Sequence, residues 1–123
     1  FFNWALTKEQ WGEVAAALEL VNKALAMQND PPYSALKARL TQRLGDIQGG
    51  FAIASEAVRR FPPVSSQNDY ELYWFGAAAR IAGEEQLWQE ADGEARRRAT
   101  RSKAQAPAPG DFPDREQTMG EDA

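Results

Sequence analysis

Tyr33-Ser-Ala-Leu-Lys-Ala-Arg-Leu-Thr-Gln-Arg-Leu44, then Gly45-Asp46, then Ile47-Gln-Gly-Gly-Phe-Ala-Ile-Ala-Ser-Glu-Ala-Val-Arg-Arg-Phe61-Pro62, is the stretch that decides the fold. Tyr33, Leu36, Leu40 and Leu44 step by three and four, so they share one helical face. Ile47, Phe51, Ala54, Val58 and Phe61 do the same and predict the buried stripe of a second helix. Gly45-Asp46 stops one helix and starts the next, and Pro62 closes the unit. Two amphipathic helices joined by a tight turn make an antiparallel hairpin. One such hairpin cannot bury its apolar faces alone, so it must stack on neighbours.

The flanking sequence supplies those neighbours. Residues 1–11 read as the end of a helix, interrupted at Gly12. A second helix is expected over about 13–28, with Val14, Leu18, Val21 and Leu25 on its stripe. Asp30 is placed to cap the third helix, with Pro31 at its first position. Residues 62–69 form a loop with several candidate caps. A fifth helix is expected over about 70–82, rich in aromatics, and a sixth from Glu84 to about 98 or 103. The stripe of the sixth is Leu87, Trp88, Ala91 and Ala95. Gly49 and Gly50 sit in the first turns of the fourth helix, where each costs roughly 1 kcal/mol against alanine. A frayed helix start would explain them, but a close backbone crossing with the third helix explains them better. Trp4, Trp11, Trp74 and Trp88 are expected mostly in the core or between hairpins. Tyr70 and Tyr73 are expected at the surface.

Composition narrows the chemistry. The 123 residues suit one small all-α domain over 1–103, followed by a tail over 104–123. Phe1 rather than Met opens the chain, which reads as a fragment or a processed product. There is no cysteine and no histidine. Disulfides, thiolate nucleophiles, Cys/His zinc sites and Ser-His-Asp triads are therefore excluded. No apolar run approaches the roughly 18 residues of a membrane span. The tail carries Asp111, Asp114, Glu116, Glu121 and Asp122 against Arg115, which accounts for the whole net charge of −4. The body is neutral, which argues against nucleic acid as a partner. The Ala/Pro/Gly/acid-rich tail reads as disordered and dispensable for stability, with Phe112 and Met119 its only large apolar side chains.

The glycine breaks repeat. Gly12-Glu13, Gly45-Asp46 and Gly83-Glu84 are 33 and 38 residues apart, close to the 34-residue period of tetratricopeptide repeats. The chain resembles that family over about residues 1–98. In the central unit Ala38, Gly45-Asp46, Gly50, Ala57 and Pro62 fall at the family's small, turn and closing positions. Ala5, Gly12, Ala17 and Ala24 do so in the first unit, and Gly76, Gly83 and Ala95 in the third. Ser34 replaces the family's first-helix tryptophan. Val21, Ala54 and Asp92 stand at its second-helix aromatic position, and Trp88 stands where a small residue is usual. A generic helical bundle is the other fold these helices could make. The resemblance implies a short superhelix of about three hairpins, the first truncated, and a protein-interaction role. It implies a concave groove holding Phe2, Leu6, Ala35, Arg39, Gln42, Arg43, Tyr73, Ala77 and Arg80. Arg39, Gln42, Arg43, Tyr73 and Arg80 are the expected peptide-binding set. Three arginines with a tyrosine suit an acidic or C-terminal carboxylate ligand. The lysine/asparagine clamp of the chaperone-binding members is not matched. A structural spacer or regulatory domain without its own ligand is the alternative.

Other constellations carry less. Gly45-Asp46-Ile-Gln-Gly49-Gly50 lacks the Gly-Lys-Ser/Thr ending of a phosphate loop. Glu84, Glu85, Glu90, Asp92 and Glu94 offer carboxylates but no histidine to complete a di-metal site, so a solvated face is expected. Arg96, Arg97, Arg98, Arg101 and Lys103 have no interleaved aromatic to stack bases, so a solvated helix end is expected there too. No catalytic residue, metal or cofactor is expected.

Overall fold

The computed structural model describes residues 1–105, and there the chain is all-helical. Six α-helices follow in order: α1 (Phe2–Gln10), α2 (Val14–Met27), α3 (Pro31–Arg43), α4 (Ile47–Arg60), α5 (Asp69–Ile81) and α6 (Glu85–Gln105). A short 3₁₀ turn, Val64–Ser66, lies between α4 and α5. α6 runs two residues past the expected boundary after Lys103. The expected disorder of the tail concerns residues that otherwise lie outside the described ones.

Three hairpins are closed by one and the same turn. Gly12, Gly45 and Gly83 adopt φ of 81°, 104° and 70°, values that glycine reaches without a Cβ penalty. Each glycine N–H donates to the carbonyl three residues back: Glu9 at 3.0 Å, Gln42 at 2.9 Å and Arg80 at 3.2 Å. The next N–H, of Glu13, Asp46 or Glu84, donates five residues back to Lys8, Thr41 or Ala79 at 2.9, 3.1 and 2.9 Å. This pair of bonds satisfies carbonyls that a helix end leaves open, and it reverses the chain.

The helix starts are capped in different ways. The Asp46 carboxylate accepts from the Gly49 N–H at 2.9 Å. Asn68 and Glu71 form a reciprocal capping box at α5, with bonds of 2.7 and 3.0 Å. Asp30 stands at the cap of α3 with Pro31 behind it, but its side chain makes no capping bond. Its backbone carbonyl accepts from Tyr33 and Ser34 instead. Burial and the neighbouring Glu71 push the Asp30 carboxyl above its usual range, with Arg60 opposing them.

The hairpins pack in chain order, α2 against α3, and α5 against both α3 and α4. Their core is built largely on alanine: Ala5, Ala17, Ala35, Ala38, Ala54, Ala57, Ala78 and Ala79 are fully buried, beside Val21, Leu36 and Leu40. Small side chains let helix backbones approach, and Gly50 is the closest case. A Cβ there would lie 2.7 Å from the Ala38 carbonyl oxygen and against Gln42 Cγ. Gly50 therefore marks a tight crossing of α3 and α4 rather than a frayed start, whereas a Cβ at Gly49 would meet only the Asp46 cap. Larger residues fill the seams. Phe2 stacks on Tyr33 at 4.8 Å and meets Trp74 edge-on at 5.5 Å, while Phe61 meets Phe75 at 5.4 Å.

Several side chains expected inside lie outside. α4 buries Gly50, Ala54 and Ala57 with Phe61 beyond its end, so it turns its small face to α3. Phe51, about 100° round the helix from Gly50, is exposed, and so are Ile47 and Leu44. α6 leaves Ala95 exposed. Trp4 and Trp11 are 56% and 66% exposed, because the described chain puts nothing over that face of α1. Trp74 is buried and Trp88 half-buried.

Candidate functional site

A groove of ≈ 940 Å³ runs between α3, α5 and α6. Arg39, Gln42, Arg43, Tyr73 and Arg80, the five residues singled out from the sequence, all line it. α3 and α5 bring them together because Arg39 and Arg43 are four apart on one helix, as are Tyr73 and Ala77 on the next. A second depression of ≈ 760 Å³ shares Arg39, Arg43 and Tyr73 and continues to Leu6, Glu9 and Gln10 on α1. Of the residues expected at the groove surface, Ala35 is fully buried, and Phe2, though largely buried, lines the second depression. Ala35 is needed where α3 meets its neighbours, and Phe2 is held by the aromatic seam.

The five residues are not equally free. Arg39 Nε and Nη2 donate to the two oxygens of Glu9, both at 2.8 Å. Its Nη1 reaches the Tyr73 hydroxyl at 3.5 Å, and its guanidinium lies 5.0 Å over the Trp74 ring. Burial alone would lower the Arg39 pKa, but the bonds to Glu9 and Tyr73 outweigh it and raise the value. Arg39 therefore ties the first hairpin to the second. Gln42 is also engaged, since its Nε2 donates to the Ile47 carbonyl at 3.1 Å. Arg43 is half-exposed with one 3.5 Å contact to Glu9. Arg80 stacks 4.1 Å over the Trp88 ring and has no ion pair among the described residues.

The wall supplied by α6 was not foreseen. Trp88, Ala95, Ala99 and Ser102 face the groove at helical spacing and give it a shallow, largely apolar side. Their spacing is visible in the sequence, but periodicity alone does not say whether that face is core or surface. Glu9 was missed as well. It lies 30 residues before Arg39, and no local spacing announces such a pair.

The arginine-rich end of α6 is balanced by its own acidic run. Arg96 pairs with Asp92 at 2.6 Å, and Arg97 and Arg98 pair with Glu94 at 3.0 and 2.8 Å. Arg98 also reaches Asp69 at 3.0 Å, which ties α6 to the start of α5. Hydrogen bonds from Arg98 and Arg97 hold the Glu94 carboxyl below its usual range. Among the described residues no group of three or more acidic side chains could hold a metal ion. No described helix is long and apolar enough to cross a membrane.

Arg43 and Arg80 can donate several hydrogen bonds each to carboxylates, beside an apolar floor that includes Leu72, Gly76 and Ile81. Comparison with protein-family models, with curated proteins and with solved structures found no match.

Proposed function

We propose that this chain is a protein-interaction module of the tetratricopeptide-repeat type, not an enzyme, and that its groove takes an acidic segment carrying an aromatic or aliphatic anchor. One observation carries the reading: two arginines with spare donors, Arg43 and Arg80, border a largely apolar groove of ≈ 940 Å³. Three identical hairpin turns support the repeat architecture. Carboxylates of the ligand would meet the guanidiniums, and the anchor would cover the floor between α5 and α6.

The test is fluorescence anisotropy with a fluorescein-labelled peptide, Asp-Glu-Phe-Asp-Glu-Leu-Asp-Glu. Arg43→Glu with Arg80→Glu should weaken binding by at least tenfold. A lost charge-assisted bond typically costs about 1.5–3 kcal/mol, and reversal adds repulsion. Salt should weaken it further, while circular dichroism shows the fold intact. Arg39 is left in place because it holds Glu9. Unchanged affinity in the folded double variant would reject the groove and leave the chain as a spacer.

A further inference from the structure

The groove opens where the described chain ends. Ala99 and Ser102 are on its wall, and the described part of α6 reaches Gln105. The sequence continues for 18 residues beyond Gln105. Their chemistry is the complement of what they leave behind. Four arginines line the groove, Arg39, Arg43, Arg80 and Arg98, against two aspartates, Asp69 and Asp92; Arg39 is held by Glu9 and Arg98 by Glu94 and Asp69, which leaves Arg43 and Arg80 for a ligand. The tail carries five acids and Arg115, with Phe112 and Met119 as apolar side chains. Pro109-Gly110, a turn-forming pair, precedes the first acid.

We infer that residues 111–119 fold back and occupy the groove of their own chain, with Phe112 on the apolar floor and the carboxylates against Arg80 and Arg43. The inference rests on the reading of the groove as a site for acidic segments. Reach permits it. Trp88, under Arg80, is 17 residues before Gln105, about 25 Å along a helix. Extended backbone spans at most about 3.3–3.6 Å per residue, so Phe112 can reach up to about 23–25 Å from Gln105 and Glu116 up to about 36–40 Å. Tethering holds the segment at an effective concentration in the millimolar range, so even a weak contact is occupied. An acidic partner would then have to displace the tail.

The chain has no cysteine, so Thr118→Cys accepts one nitroxide label on the full-length protein. Amide intensities of Gly76, Ala77 and Ala95 should fall several-fold, while Ala15 on α2 and Ala52 on α4 keep theirs. Asp111→Asn, Asp114→Asn and Glu116→Gln together should abolish the contrast and raise affinity for the fluorescein peptide about tenfold. Uniform broadening, or none, overturns the inference. Broadening of an unlabelled, isotope-enriched chain mixed with labelled chain also overturns it, by placing the tail on a second copy. If the peptide binds through Arg80 while the label shows no contrast, the groove reading stands and the tail inference falls. If neither occurs, both fall.

Discussion

The central hairpin, α3 with α4, and the C-terminal hairpin, α5 with α6, share a turn and differ in how tightly they close. In the first, Gly50 lets the α4 backbone meet the Ala38 carbonyl. In the second, the equivalent closeness is absent: a Cβ at Gly76 would meet only the Ala91 methyl, at 3.7 Å. The arginines follow the same division. Arg39 on α3 is locked to Glu9, whereas Arg80 on α5 lies on Trp88 and meets no acid among the described residues. One hairpin is a clasp and the other an open wall. A turn repeated three times therefore does not dictate what its helices do; the side chains at the crossing decide that.

The strongest way to break the contrast is at Gly50. Helix propensity alone makes Gly50→Leu favourable. Because the new side chain must displace backbone, the substitution should instead cost about 3 kcal/mol, read from urea melts. A stabilised variant would dissolve the distinction. Glu9→Gln attacks the clasp from the other side. It should cost about 2 kcal/mol, since it leaves the half-buried Arg39 without a charged partner. It should also strengthen peptide binding, because Arg39 becomes available. A loss of stability with no gain in affinity would show that Arg39 cannot reach a ligand. Gly76→Ala sharpens the comparison with the opposite sign. The 3.7 Å spacing is ordinary contact, so the helix should gain about 0.5–1 kcal/mol, and a destabilised variant would mean α5 and α6 are as tight as α3 and α4.

The smallest effect lies at the seam with the first hairpin. Burial, followed by the charges of Asp30, Tyr33 and Glu71, pushes the Tyr70 phenol up to about 12. An unfolded tyrosine titrates near 10. Between about pH 10 and about 12 the unfolded chain therefore gives up a proton that the folded chain keeps, and stability falls through that window. A phenolate absorbance step near pH 12 is expected, and Tyr70→Phe should remove it. If the variant leaves the step in place, Tyr70 is not its source.

Much of the frame was legible because it is local. A glycine after a helix, followed by an acid, announces its turn without reference to the rest of the chain, and Gly12, Gly45 and Gly83 each did so. Gly50 was legible because a glycine pair inside a helix has few other reasons to exist. The face of α4 was not. Ile47-Phe51-Ala54-Val58-Phe61 and Gly50-Ala54-Ala57-Phe61 share the same period and overlap at Ala54 and Phe61, and large apolar residues draw the eye. Packing chose the smaller set, because closeness of backbones outweighed size. Trp4 and Trp11 misled for a related reason: periodicity marks a face as apolar without saying whether anything covers it. In the candidate site, α3 and α5 spacing placed the arginines together, but their partners were hidden. Glu9 meets Arg39 across 30 residues, and Trp88 meets Arg80 across a turn.

The alanine core sets how the molecule responds to heat. Alanine has no rotamers to lose on burial, so ordering this interior costs mainly backbone freedom. It also withdraws less hydrocarbon from water per residue than leucine or phenylalanine would. The heat-capacity increase on unfolding scales with the apolar area exposed and averages about 12–15 cal/mol/K per residue. Helices held apart by methyl groups fall below that average. A smaller heat-capacity change broadens the stability curve, so calorimetry should show stability falling gradually from its maximum to the melt.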